Sequence, residues 1–416
     1  MDYSSLFLAS AQSSAEVLLV CVSGYLAAKY EIITPSIQKG LSNLIIKVLL
    51  PCLLFSETAA DIDLSILIQL WPVPVFCATF SVISSLLGMF GGKILRLSLA
   101  ETKFLMVGVM FNNITSLLLG LLSGMENTSA MQILLQSEDD SPAESVKRGK
   151  SYVMLAILFS TLLRWSLGAF LLRKNPSDDP LDLAKPLSKS VMLPTYNDQI
   201  SLINSLNETI NTSNETIDPP NERTSLLATK KNNNKFIIPQ TLTKIYTIVG
   251  GLMNPPLTAS IVALLVSTIA PLKNLFFGDH APLFVISSTM EYIGTATVPL
   301  TLIMLGAQLQ NLRSSKGKEM FASISYVISC RYLIMPIIGG IMVMSTKSLY
   351  RGDPMLWFIL MMLASGPTAI NCINLVQLTG NFEEEMAALL FYSYICLAPL
   401  ITLIVMSFLT IISYST

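Results

Sequence analysis

The sequence predicts an all-α integral membrane protein with ten transmembrane helices, arranged as two inverted five-helix repeats. Of its 416 residues, 52% are hydrophobic and only 13% are charged, whereas soluble domains carry about 25% charged residues. Ten apolar stretches recur along the chain, each close to the roughly 18–25 residues that cross a bilayer. No stretch shows the alternating pattern of an outer-membrane barrel. These observations together predict a bundle of membrane-spanning helices.

The apolar stretches form two groups of five. The first stretch lacks the basic segment of a signal peptide and is long enough to cross the membrane, so it is predicted to be a helix of the mature protein. The others follow at regular intervals. The limits of spans one to ten are 6–28, 40–60, 66–92, 102–122, 151–172, 246–271, 282–309, 320–345, 355–378 and 386–413.

A polar gap, residues 173–245, separates the first repeat, residues 1–172, from the second, residues 246–416. Its Asn runs and Pro pairs, without an apolar stripe, predict a flexible linker. Glu222, Leu226 and Leu227 within it resemble an acidic dileucine sorting signal. That resemblance predicts a contact with a sorting adaptor.

The distribution of Lys and Arg predicts the orientation, because cytosolic connections are enriched in these residues. With the N-terminus outside, the cytosolic ends hold twelve basic residues and the opposite ends hold six. The linker is then cytosolic, and both termini are lumenal. Of the glycosylation sequons, only the one at Asn127 would then face the lumen, since those at 207, 211 and 214 lie in the linker.

Five spans per half place the second repeat upside down relative to the first, and matching spans carry matching helix breakers. Such paired interruptions point to a transporter site at the midplane. The candidate substrate-binding residues are Pro51 in span two, Pro299 in span seven, Asn112 and Asn113 in span four, and Pro367, Asn371 and Asn374 in span nine.

Breaking a helix at membrane depth frees backbone N–H and C=O groups, which side chains, water or a ligand must satisfy. The N-terminal end of each half-helix also carries a partial positive charge, which favours a carboxylate. Two crossing broken helices therefore predict an anion site without a buried Arg or Lys.

These residues resemble the auxin efflux carrier family, specifically its PIN-LIKES branch. The resemblance is carried by the segment Phe111–Leu117 in span four and by Asn254–Leu257, an Asn-Pro-Pro-Leu sequence before span six. Leu50-Pro51, Val298–Leu300 and Gly366–Thr368 support it. One departure is that Leu117 begins a Leu run where the family often has Pro, so the first break depends on its two Asn side chains.

The resemblance implies a scaffold domain, a transport domain and elevator-like transport, with spans four and nine crossing at their centres. It implies a small organic anion such as indole-3-acetate as substrate, and the endoplasmic reticulum or another endomembrane, including the vacuolar one, as location. Asn112, Asn113 and Pro367 would lie at the crossing. Asn371 and Asn374 would line the same cavity, with Pro51 and Pro299 contributing from spans two and seven.

Five charged residues fall inside predicted spans, where an unpaired charge costs about 2.5–3.5 kcal/mol. We expect them to form structural pairs or to extend towards the membrane surface, and Glu291 is the candidate for ion coupling. The five are Glu16, Lys47, Arg164, Glu291 and Arg331.

Two alternative functions remain open at this stage: a Na⁺- or H⁺-coupled symporter of the dicarboxylate or bile-acid kind, and a membrane sensor that does not transport. An enzyme is not expected, because no Asp lies mid-span and the single histidine, His280, lies in a connection. The net charge of −1 argues against nucleic acid. The six cysteines lack metal-binding spacing, so no metal or cofactor is predicted. A small organic anion and the lipid bilayer are the expected partners, and a homodimer is compatible with the architecture.

Overall fold

A computed structural model describes residues 3–61, 70–126, 128, 130–137, 140–173, 253–278, 281–310, 317–350 and 352–415. Within these residues every regular element is a helix, and the strand-like pairing is a single antiparallel bridge between Asn112 and Thr368. This confirms the all-helical class. The linker with Glu222, Leu226 and Leu227, the sequon at Asn127 and His280 lie outside the described residues.

In the first half, two of the helices contain a π turn. The helices of this half are α1 (Tyr3–Lys29), α2 (Pro35–Leu44) joined through the π turn Ile45–Leu49 to α3 (Leu50–Asp61), α4 (Pro72–Ile94), α5 (Leu99–Met110), α6 (Ile114–Met125), and α7 (Pro142–Leu163) joined through the π turn Arg164–Gly168 to α8 (Ala169–Leu172).

Among the described residues of the second half, one pair of helices is joined through a π turn. The helices of this half are α9 (Pro255–Thr268), α10 (Ala270–Phe276), α11 (Phe284–Thr295), α12 (Thr297–Gln310), α13 (Gly317–Ser329) joined through the π turn Cys330–Ile334 to α14 (Met335–Thr346), α15 (Pro354–Leu363), α16 (Cys372–Thr379), α17 (Glu383–Ile395) and α18 (Leu397–Ser413).

Five of the described helices are long and apolar enough to cross a membrane, and two bent pairs raise this number to as many as seven. Spans four and nine do not count among them because each is divided into two short helices. The five helices are 35–59, 72–94, 142–172, 284–310 and 320–349. The count of ten transmembrane helices thus stays a prediction.

Span six is shorter and more bent than predicted. α9 has 14 residues and meets α10 at 107°. Pro271 lies in the first turn of α10, and a proline there removes a backbone donor and clashes with the preceding turn. The chain therefore leaves the axis of α9 near Ile269 instead of continuing to residue 271.

The helices pack closely where glycine faces a neighbouring backbone, as is common in membrane proteins. A Cβ added to Gly24 of α1 would lie 2.0 Å from the carbonyl oxygen of Ile303 in α12, and one added to Gly306 would meet the carbonyl of Cys21. Gly294 of α11 approaches Leu53 of α3 in the same way. These contacts join spans one, two and seven.

A second group of helices surrounds α15, whose ten residues are all buried. Helices α4, α7 and α14 each contact it. Large apolar side chains elsewhere point outwards, for example Val285, which is 74% exposed, and Tyr292, which is 83% exposed. Such an outer surface suits lipid. The core of the protein therefore lies around span nine, where the candidate site is located.

Candidate functional site

The interruptions of spans four and nine pair with each other. Residues 111–113 separate α5 from α6, and residues 364–371 separate α15 from α16; together we call these two segments the crossover. The backbone N–H of Asn113 donates to the carbonyl of Pro367 at 2.9 Å, and that of Ala369 donates to the carbonyl of Phe111 at 2.9 Å. Each break thus satisfies backbone groups freed by the other.

The Asn112 side chain holds this arrangement. It is 5% exposed, and its Nδ2 donates to the carbonyl oxygens of Leu363 at 2.7 Å and Ser365 at 3.2 Å. Those carbonyls belong to the end of α15, where they have lost their helical partners. Span four is therefore clearly interrupted at its Asn residues, although Leu117 stands where the family often has Pro.

Asn113 connects the crossover to span ten. It occupies the N-cap of α6, and its Nδ2 donates to the hydroxyl of Tyr394 in α17 at 2.5 Å. Thr368 adds a hydrogen bond from its hydroxyl to the carbonyl of Gly108 in α5. Asn112, Asn113 and Pro367 are therefore brought together as predicted, but both Asn side chains hold protein groups.

Arg331 is the largest polar contributor to the crossover, and it was not among the predicted site residues. Its guanidinium is 2% exposed and donates to the carbonyls of Gly366, Val109 and Ser365 at 3.0–3.1 Å. These carbonyls lie at the C-terminal ends of α5 and α15, which carry partial negative charge. Arg331 therefore has structural partners, and these are carbonyl oxygens instead of a carboxylate.

Arg164 was also expected to pair or to extend towards the surface, and it does neither. It is 6% exposed within the π turn of span five. In the described part of the chain its guanidinium makes one hydrogen bond, from Nη2 to Ser160 Oγ at 3.3 Å, while Nε has none. The guanidinium lies over the ring of Phe111, 5.7 Å from its centre. A buried Arg thus lies beside the crossover, which the predicted anion site did not require.

The other Asn residues of span nine differ from each other. Asn374 is fully buried in α16, and its Nδ2 donates to Thr301 Oγ1 of α12 at 3.3 Å. Its Oδ1 has no partner within the described residues. Asn371 is half-buried at the N-cap of α16 without a side-chain capping bond. Asn374 therefore faces span seven, away from the crossover hydrogen bonds.

The two prolines each lie just after a small irregularity in their span. Pro51 follows the π turn Ile45–Leu49, and the helix from 35 to 59 is continuous. A π turn shifts the hydrogen-bond register, which accommodates the donor that proline lacks. Pro299 is exposed in α12, three residues after the one-residue break at Ala296 that separates α11 from α12, although residues 284–310 still form one span. Spans two and seven are therefore irregular beside their prolines but are not opened over several residues as span nine is.

The crossover borders a narrow cleft. Its polar lining includes Asn112 and Ser160, and its remaining walls are mostly apolar: Cys77, Phe80, Ser81, Met110, Ile114, Leu163 and Leu363. A larger cavity of about 320 Å³ lies between α1, α12 and α17, lined by Cys21, Val22, Tyr25, Leu309, Phe391 and Tyr392. The cleft has a volume of about 20 Å³, whereas the larger cavity reaches the roughly 300–1,000 Å³ of small-molecule sites.

The Asn-Pro-Pro motif also joins the site. Asn254 caps α9 by accepting a hydrogen bond from the N–H of Leu257, and its Nδ2 donates to the carbonyl of Trp165 at 2.8 Å. Trp165 follows Arg164 in the π turn. Paired helix breaks inside a membrane bundle are typical of secondary transporters. Comparison with known proteins also indicates a transporter.

The family profile described as membrane transport protein matches residues 10–405. The chain belongs to this family. It is 27% identical to an uncharacterized transporter of Schizosaccharomyces pombe, covering 93% of this chain and 92% of the relative. It is 28% identical to an uncharacterized transporter of Saccharomyces cerevisiae, covering 95% and 94%.

Plant relatives are similar over the same length. Protein PIN-LIKES 2 of Arabidopsis thaliana is 24% identical, with 91% of this chain and 89% of the relative covered. The predicted resemblance to the auxin efflux carrier family and its PIN-LIKES branch is thereby confirmed. The chain is an integral membrane protein of a transporter family.

Proposed function

We propose that this protein is a secondary transporter of small organic anions, with indole carboxylates such as indole-3-acetate as the first substrates to examine. The observation that carries the proposal is the backbone pairing of residues 111–113 with residues 364–371 inside the bundle. Two half-helices, α6 and α16, begin at this crossover. Their N-terminal ends favour an anion over a neutral or cationic ligand.

The proposed architecture is ten spans in two inverted five-helix repeats. In two repeats, span one corresponds to span six and span two to span seven. A contact between spans one and seven should therefore be matched by a contact between spans six and two. The first pair corresponds to α1 against α12 and the second to α9 against α3, and both pairs are in extensive contact. Asn127 and both termini lie on the lumenal side in this arrangement, with the linker cytosolic.

Transport proceeds in an elevator-like manner. Spans one, two, six and seven form the scaffold, and the helices around the crossover move against it. The hydrogen bond between Asn374 and Thr301 crosses this division, as does the one from Gln308 of α12 to Glu383 of α17. These contacts hold one conformation and must break when the crossover moves. We propose an endomembrane, the endoplasmic reticulum first, as the location.

Reconstitution tests the proposal directly. Purified protein in proteoliposomes is offered labelled indole acids, dicarboxylates and bile acids, and uptake is compared with protein-free vesicles. Uptake of indole acids that is lost in Asn113→Ala, with folding retained, supports transport through the crossover. Uptake by a folded Asn113→Ala protein at the wild-type rate contradicts it.

One observation favours a second candidate, an ion-coupled symporter. Asn374 Oδ1 and Thr297 Oγ1 are buried without a hydrogen-bond partner among the described residues. Uncharged oxygens are suitable ligands for Na⁺ in carriers. Uptake that requires a Na⁺ gradient and loses this requirement in Asn374→Ala would favour the symporter. Glu291, the earlier candidate for coupling, is exposed on α11, and unchanged ion dependence in Glu291→Gln would exclude it.

A further inference from the structure

Arg164 is a buried cation whose hydrogen-bonding capacity is largely unused. Arginine keeps its charge in proteins and presents five N–H donors. In the described part of the chain, Arg164 makes a single hydrogen bond, to Ser160 Oγ, and Nε is buried without an acceptor. No Asp or Glu of that part lies within 4.0 Å of its guanidinium. Buried charges are ordinarily paired, and within the described residues Arg164 has no charged partner.

Arg331 provides an internal comparison. Both arginines are more than 90% buried in π turns of membrane spans. Arg331 satisfies its guanidinium with three carbonyl oxygens at the C-terminal ends of α5 and α15. Those helix ends are negative, so a cation is favourable there. Arg331 is therefore explained by the fold, whereas Arg164 is not.

Arg164 lies towards the opposite, positive ends of the half-helices. Its π turn contacts α16, which begins at Cys372. Phe111, on which it stacks, lies two residues before Asn113, the N-cap of α6. A cation beside two positive helix ends inside a membrane is unfavourable unless an anion is also present.

A narrow cleft of about 20 Å³ beside the crossover approaches this position through Ser160. Ser160, the one hydrogen-bond acceptor of Arg164, lines the cleft together with Asn112. The rest of the lining is largely apolar and includes Phe80 and Leu363. In this conformation the cleft admits a group no larger than about one water molecule, and we expect it to widen when the helices around the crossover move.

We infer that Arg164 binds the carboxylate of the transported anion, with Ser160 as a second ligand and the apolar wall of the cleft against the body of the substrate. This inference rests on the proposed transport function and names the residue that recognises the charge. The bound carboxylate supplies a counter-ion that the described residues do not provide for Arg164.

The test uses indole-3-acetate and its neutral analogue indole-3-acetamide, which differ in the group that would face Arg164. Thermal stabilisation of the purified full chain and competition against labelled uptake are measured for both. Wild-type protein should prefer the acid at least tenfold. Arg164→Gln should reduce this preference to less than twofold, and Arg164→Lys should retain part of it. Lys47→Gln is the matched control, because it removes an exposed positive charge from another π turn and should keep the full preference.

The stability of the ligand-free variants supplies a second readout. Arg164→Gln should unfold at the wild-type temperature or above it, because it removes an unpaired buried charge. Arg331→Gln should unfold at a lower temperature, because three carbonyls lose their donor. A destabilised Arg164→Gln comparable to Arg331→Gln would assign Arg164 a structural role and overturn the inference.

The remaining outcomes separate this inference from the transport proposal. A folded Arg164→Gln protein that still prefers the acid tenfold overturns the role of Arg164 but leaves transport standing. Wild-type protein that binds and transports no carboxylate in the panel overturns the proposed function. Stabilisation by chloride alone, lost in Arg164→Gln, would assign the position to an inorganic anion and overturn the carboxylate assignment.

Discussion

Asn254 donates a hydrogen bond to the carbonyl oxygen of Trp165, 89 residues earlier in the chain. The same Asn side chain accepts the N–H of Leu257 and caps α9. One residue of a short sequence motif therefore fixes the start of span six and supports the π turn that presents Arg164. We expect Asn254→Ala to lower the free energy of unfolding by about 1–3 kcal/mol, the combined magnitude of a lost cap and a lost hydrogen bond.

Thermal or denaturant unfolding in detergent measures this effect. Asn254→Asp is the matched control, since its carboxylate can cap α9 but cannot donate to Trp165. Asn254→Asp should be more stable than Asn254→Ala but less stable than wild type, because the π turn lacks its hydrogen bond. Equal stability of the Asn, Asp and Ala proteins would contradict both roles.

Arg331 should be among the most sensitive positions in the fold. Arg331→Gln removes charge-assisted hydrogen bonds to Val109, Ser365 and Gly366, which are worth about 1.5–3 kcal/mol each in comparable settings. We expect severe loss of folded protein, measured by size-exclusion chromatography and thermal unfolding. Arg331→Lys should recover only part, because a Lys ammonium does not reproduce the spread of the guanidinium donors.

The hydrogen bond between Asn113 and Tyr394 is open to a double-mutant cycle. Asn113→Ala and Tyr394→Phe each remove one side of the contact, so the double variant should lose less stability than the sum of the two single variants. The expected coupling is about 1 kcal/mol. Additive effects would show that the contact does not contribute. If both single variants also lose uptake, the position of α17 against the crossover matters for transport.

Acid should weaken the connection before α7. Asp140 accepts two hydrogen bonds from Arg148, at 2.9 and 2.6 Å. This contact lowers the pKa of Asp140 below its ordinary value. Because the folded-state pKa is lower than the unfolded one, near 3.9, the stabilisation is complete above that pH and disappears as the pH falls through the lowered pKa.

Unfolding temperatures measured from pH 6 down to pH 3 test this. Asp140→Asn should have a lower unfolding temperature than wild type at pH 6. Its unfolding temperature should fall less on acidification, because the other carboxyl groups titrate equally in both proteins. Identical pH profiles for the two proteins would exclude Asp140 as a contributor.

The orientation has a separate test. With the N-terminus lumenal, a glycosidase-sensitive mass shift on the expressed protein should vanish in Asn127→Gln. A shift that survives this substitution would place the sequons of the linker in the lumen and reverse the topology.

Local sequence was sufficient to locate both breaks of the crossover. Asn112 and Asn113 bring two polar side chains into an apolar span, and Gly366-Pro367 cannot continue a regular helix. Gly366 has a φ of +95°, a conformation that residues with a side chain rarely adopt. Pro51 and Pro299 carried the same signal with a smaller effect, since span two shows only the π turn Ile45–Leu49 and span seven only a one-residue break at Ala296.

The sequence by itself determined that this chain is an all-helical membrane protein of a transporter family and where spans four and nine are interrupted. Composition, apolar length and helix breakers are local properties, and they act within a few residues of where they occur. Only the tertiary structure decided the roles of the two buried arginines. Arg331 and Arg164 look alike in sequence, but one contacts the negative ends of α5 and α15 while the other lies near the positive ends of α6 and α16. That difference depends on which helix ends meet at the crossover, which no local pattern encodes.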